Sequence, residues 1–195
     1  MPISDKYRVI FIHIPKCGGI GIWNGLDIVP CRCNLISITS MPIYQHMLPK
    51  QLKGRYIGEA RWNSYKKITI IREPYDRFIS DYAWLRTYEQ FSKYTIDEFI
   101  YLRERVVNNN RYNENMYYDH FYPMHYYFED IEYDYVLRFE NLDEELKKIK
   151  KIFNIEKPFL KTNASNRTGI ILNKKQKGRI YNLYKEDFKQ FGYKP

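Results

Sequence analysis

No stretch of this chain holds the roughly 18 consecutive apolar residues that a membrane-spanning helix needs, so no membrane span is expected. Cysteine is scarce: Cys17, Cys31 and Cys33 make an odd count, and two of them are separated by a single residue. That pattern is no disulfide framework, and no Cys-x-x-Cys or His pair completes a zinc site, so no metal is expected. The opening Met-Pro-Ile-Ser-Asp-Lys-Tyr-Arg leads straight into an apolar run and lacks the order of a secretory leader. The best-known phosphate loops are missing too. A Walker loop needs Gly-x-x-x-x-Gly-Lys-Ser/Thr, but Lys16 precedes the glycines here. A dinucleotide fingerprint fails because Gly19-Ile-Gly21-Ile-Trp ends on Asn24. A cysteine-phosphatase loop would want arginine six residues after Cys17, where Trp23 stands.

What is present is a chain of 195 residues, 44% hydrophobic with a net charge of +9. The length suits one α/β domain over residues 1–195 with a sizeable core. The charge calls for an anionic partner, such as a nucleotide, nucleic acid, sulfated sugar or membrane surface. No nucleic-acid motif occurs and the basic residues are scattered, so no nucleic-acid partner is expected.

Val9-Ile-Phe-Ile12 inside Tyr7–Ile14 is a continuous apolar run suited to a buried parallel strand. Helix is expected over Ile20–Leu26 and around Gln45–Leu52. Lys67–Ile71 is the second buried strand, followed by a helix from Pro74 to about Tyr88 with proline at its first position. Thr95-Ile-Asp-Glu98 is a capping box for a helix through Val107. Glu114–Asp130, rich in Tyr and His, reads ambiguously. Tyr135–Phe139 is a third strand, Asn141-Leu-Asp-Glu144 caps a helix through Phe153, and Lys174–Phe191 reads as one last helix. Strands alternating with helices predict an α/β fold with a central parallel sheet flanked by helices.

Two segments carry chemistry. Pro15-Lys16-Cys17-Gly18-Gly19 sits between the first strand and the first helix. There, glycines let backbone N–H groups approach an anion and Lys16 adds a point charge; an ordinary tight turn would have the same outline. Arg72-Glu-Pro-Tyr-Asp-Arg-Phe-Ile-Ser80 places an arginine at a strand end and a serine in the next helix, a pair that suits a second phosphate. Two anion sites at the C-terminal ends of parallel strands match a nucleotide with phosphates at both ends of its ribose.

His13-Ile-Pro-Lys-Cys-Gly-Gly-Ile-Gly21 resembles the His-Ile-Pro-Lys-Thr-Gly-Gly-Thr-Ser signature of the carbohydrate sulfotransferases, a family that includes heparan sulfate 2-O-sulfotransferases. Arg72 to Ser80 resembles their Arg-Asp/Glu-Pro-Tyr-Asp-Arg-x-x-Ser motif, and Arg138-Phe-Glu-Asn-Leu142 their Arg-Tyr-Glu-Asn-Leu element. Asn163-Ala-Ser165 and Leu183–Tyr193 are similar to the family's late loop and last helix.

The resemblance implies a P-loop-like sulfotransferase fold. It also implies transfer of a sulfuryl group from 3′-phosphoadenosine 5′-phosphosulfate to a hydroxyl of a sugar or glycan, leaving adenosine 3′,5′-bisphosphate. Lys16 and the amides of Cys17, Gly18, Gly19, Ile20 and Gly21 would then hold the phosphosulfate, with Lys16 also catalytic. Arg72 and Ser80 would hold the 3′-phosphate, and Arg167, in a loop closing over the adenine, is a further nucleotide ligand. His46 is the first candidate for the general base and Glu59 the second, followed by His120 and His125; His13 reads as a packed strand residue. Where the family has Thr, Thr and Ser, this chain has Cys17, Ile20 and Gly21. That departure keeps open a catalytically impaired relative that binds nucleotide or anionic glycan without turnover. The expected location is cytoplasmic, or the Golgi lumen where an N-terminal anchor precedes the chain.

Overall fold

The computed structural model describes residues 2–28, 46–159 and 167–195. They group into two compact units, Met1–Ile71 with Tyr126–Asn163, and Arg72–His125 with Ala164–Pro195.

The first unit holds the sheet. Its strands are β1 (Ile3–Ser4), β2 (Val9–Ile12), β3 (Lys66–Ile71) and β4 (Tyr135–Arg138), in that spatial order. β2, β3 and β4 run parallel, with Ile12 opposite Thr69 and Ile71 opposite Arg138. β1 adds an antiparallel edge, with Ile3 opposite Ile10. All four residues of β2 are buried, as are Ile68 to Ile71 of β3. The polar exception in that stretch, Thr69, donates its hydroxyl to the Ile12 carbonyl at 2.8 Å, so the buried group is satisfied. The unit's helices are α1 (Gly19–Gly25), α2 (Pro49–Arg55), α3 (Glu59–Ser64) and α7 (Leu142–Ile152). α7 carries Asp143, Glu144 and Glu145 in its first turn and Lys150 and Lys151 in its last, the charge order that the helix dipole favours.

The second unit is helical: α4 (Pro74–Leu85), α5 (Glu89–Ser92), α6 (Ile96–Asn108), α8 (Lys174–Leu183) and α9 (Lys185–Phe191), with short 3-10 turns at Tyr112–Glu114 and Tyr118–Phe121. α4 begins as its sequence dictates. Pro74 occupies the first turn, and the Glu73 carboxylate accepts from the amides of Tyr75 and Asp76 at 3.1 and 2.6 Å. The Thr95–Glu98 capping box forms on α6, and the Thr95 amide and hydroxyl, both donating to the Glu98 carboxylate, lower its pKa. At the centre, Arg103 is 1% exposed. It pairs with Asp81, donates to the Tyr184 hydroxyl at 2.8 Å, and faces the rings of Phe78, Phe99 and Phe121.

Several elements depart from the sequence reading. The first strand is confined to Val9–Ile12, and Phe139 begins a 3-10 turn instead of ending β4. Asn141 makes no side-chain cap bond, because the turn Phe139–Asn141 runs directly into α7. The last helix is two: the chain breaks at Tyr184 (φ −117°, ψ 27°), whose hydroxyl is held by Arg103 and the Phe121 carbonyl. The ambiguous segment Glu114–Asp130 contains 3-10 turns. Gln45, Cys31, Cys33 and residues 160–166 lie outside the described residues. Among the described residues no helix is long and apolar enough to cross a membrane.

Burial pushes up the phenols of Tyr133 and Tyr184. The Tyr133 hydroxyl donates to the Tyr127 carbonyl at 2.7 Å, and desolvation holds its pKa well above the usual tyrosine range. Desolvation also raises Tyr184. Above pH ~10 the unfolded chain loses these protons while the folded chain keeps them, so stability falls as pH rises. The expected slope is about −1.4 kcal/mol per pH unit for each residue, measurable by urea unfolding between pH 9 and 11. The Tyr133→Phe and Tyr184→Phe variants should each flatten it.

Candidate functional site

In the first unit, the β2–α1 connection is built from left-handed backbone. Lys16 has φ +65° and Gly18 φ +82°. A side chain at Gly18 would meet the Phe139 ring at 3.0 Å and Leu142 at 3.1 Å, so the Arg138–Leu142 element packs directly on this loop. At Gly19 a Cβ would stand 2.4 Å from the His13 ring and 2.9 Å from Phe11. Both glycines are therefore required by close approach, and Gly18 also by its left-handed backbone. α1 starts at Gly19 without a side-chain cap. Lys16 is half-buried, Cys17 and Gly21 are buried, and Ile20 is 36% exposed. The Cys17 thiol donates inward to the Pro15 carbonyl at 3.6 Å.

His13 is buried against the loop, with Trp23 at 5.2 Å and His46 at 4.9 Å between ring centroids, both edge to face. His46 is thus one ring removed from Gly19. Its backbone carbonyl is fixed by the Tyr127 hydroxyl at 2.8 Å, and the side chain is buried just ahead of α2. Glu59 is exposed in the first turn of α3.

In the second unit, the Arg72 side chain is 4% exposed and places both Nη2 and Nε on Asp76 Oδ2, at 2.6 and 2.7 Å. Arg167 pairs with the other oxygen of the same carboxylate. The structure therefore brings Arg72 and Arg167 together. Ser80 is buried one turn beyond Asp76, on the same face of α4. Arg77 is spent on packing, donating to the carbonyls of His120 and Tyr122 at 3.2 and 3.0 Å. His120 and His125 are both committed to carboxylates. His120 Nδ1 lies 2.6 Å from Asp81 and its ring stacks on Trp84. His125 Nδ1 lies 2.8 Å from Asp187, which also accepts the amides of Met124 and His125.

Sequence reasoning assigned no role to Asp76, Asp81 or Phe139. Asp76 and Phe139 lie inside quoted motifs, so the signal was present; Asp81 follows Ser80 directly and carries none by its position alone.

A backbone loop with one cation and a buried arginine anchored by a carboxylate are fit to hold anionic oxygens. Comparison with protein families gives a match over residues 1–194 to the model described as the sulfotransferase family. Comparison with curated proteins and with solved structures finds no match.

Proposed function

Because the chain belongs to the sulfotransferase family, we propose that it moves a sulfuryl group from 3′-phosphoadenosine 5′-phosphosulfate to an acceptor hydroxyl on a carbohydrate. The observation that carries the donor assignment is Arg72, a nearly sequestered guanidinium set on Asp76 immediately after β3. Burying that charge is costly unless it is paired, and a guanidinium can grip phosphate oxygens with two parallel bonds. The glycine loop follows β2, the parallel neighbour of β3. The carbohydrate acceptor follows from the likeness of the motifs to those of the carbohydrate sulfotransferases.

In this reading Lys16 and the Cys17–Gly21 backbone hold the phosphosulfate, Arg72 and Ser80 bind the 3′-phosphate, and Arg167 is a further ligand. His46 takes the acceptor's proton as the new O–S bond forms. Lys16 balances the charge left on the bridging oxygen as the old S–O bond breaks and adenosine 3′,5′-bisphosphate departs. A charge that grows only as the bond breaks is stabilised more in the transition state than in the bound substrate, which is what raises rate.

Adenosine 3′,5′-bisphosphate should raise the melting temperature where ATP and DNA do not. Arg72→Ala should weaken bisphosphate binding about 10- to 100-fold, the weight of a hydrogen bond to a charged group. Unchanged affinity in calorimetric titration would remove Arg72 from the 3′-phosphate. A second reading, binding without turnover, has its own observation: the Cys17 side chain faces the Pro15 carbonyl at the position where relatives carry a hydroxyl. Stabilisation by bisphosphate with no sulfate transfer across sugar, phenol and alcohol acceptors would select it.

A further inference from the structure

We infer that Asp76 is a positioning residue, which sets Arg72 and Arg167 as a paired grip on the nucleotide's 3′-phosphate; this rests on the donor assignment above. A carboxylate beside a phosphate site looks counterproductive, since like charges repel. The geometry supplies the reason for it. Asp76 divides its two oxygens between two guanidiniums, Oδ2 taking Arg72 and Oδ1 taking Arg167. Without an anion between them, two arginines at that separation would repel each other, and the nearly buried Arg72 would keep its charge without this partner. With Asp76 the trio carries a formal +1, still attractive to a phosphate of charge about −2.

The carboxylate is itself fixed. It sits on the first turn of α4, where the Glu73 side chain accepts the Asp76 amide at 2.6 Å. Arg72 is sequestered while Asp76 and Arg167 are each 40% exposed, so the Arg167 half of the grip is open to solvent. Arg72 and Arg167 are far apart in sequence, and Asp76 is the group that joins them. Guanidiniums locked in advance lose less side-chain entropy when the phosphate binds.

The test compares two probes that differ in the group at issue: adenosine 3′,5′-bisphosphate, and adenosine 5′-phosphosulfate, which has no 3′-phosphate. Asp76→Asn should weaken the first about tenfold, as for one lost charged contact, and leave the second unchanged. Asp76→Glu should restore part of the loss. Asp76→Asn with Arg167→Ala should cost less than the sum of the two single changes, the sign of groups acting as one unit. Unchanged or tighter bisphosphate binding in Asp76→Asn would overturn the inference, making Asp76 a bystander or a competing anion. Equal losses for both probes would also overturn it, in favour of a role in folding alone. A wild-type protein that binds neither probe would refute the donor assignment instead.

Discussion

His46→Ala is expected to lower turnover about 10²–10⁴-fold, the usual weight of general-base catalysis, while affinity for adenosine 3′,5′-bisphosphate stays as in the wild type. Transfer to a hydroxyl requires that its proton leave as the O–S bond forms, and imidazole is the side chain suited to accept a proton near neutral pH. Two contacts hold His46, and one of them links it to the glycine loop through His13. Its ring lies against His13, His13 fills the space beside Gly19, and the Tyr127 hydroxyl fixes its backbone. His46 is not among the proposed donor ligands Lys16, Arg72 and Ser80, so kcat should fall and donor affinity should not. Because His46 is buried, alanine also leaves a cavity. His46→Gln keeps more of the volume and should show the same kinetic loss with less change in melting temperature. Steady-state kinetics on both variants check this. Normal turnover in both, with an inactive Glu59→Gln, would transfer the role to Glu59.

Arg103→Met is expected to destabilise the protein by about 3–5 kcal/mol, the cost of leaving one partner of a buried ion pair uncompensated. Asp81 and Arg103 are each 1% exposed, and Asp81 also holds the His120 ring. Methionine has room among Phe78, Phe99 and Phe121, so packing is largely kept and the loss is electrostatic. The double variant Arg103→Met/Asp81→Leu should therefore recover part of the stability, since neither charge is then left alone. Urea unfolding of the two variants measures the difference. A double variant less stable than Arg103→Met would mean that Asp81 matters chiefly through His120.

The readable parts of this fold were those fixed by local chemistry. β3 follows from a run of apolar residues, α4 from Pro74 behind a capping Glu73, and α6 from Thr95 and Glu98. The parts misread depended on distant partners. Helical periodicity carries through residue 184, yet the bonds of Tyr184 to Arg103 and Phe121 break the helix there. β1 has only two residues, too few for any alternation to show, and exists because β2 offers an edge. Asn141 has a capping residue's identity, but the preceding turn already feeds the helix. For the site, the motifs marked Lys16, Arg72 and Ser80 by residue type. What they could not convey was that the Asp76 carboxylate is shared between arginines at positions 72 and 167.

Lys16 stands in a conformation that side chains resist. Left-handed backbone at a non-glycine residue costs on the order of 1–2 kcal/mol, and glycine at that position would relieve it. The loop from Pro15 to Gly21 has no other basic residue, so the replacement most favourable to the fold would remove the cation on which the proposed chemistry depends. Heat tolerance and turnover therefore pull this position in opposite directions. A population screened only for survival at high temperature would drift toward proteins that fold well and have lost that charge.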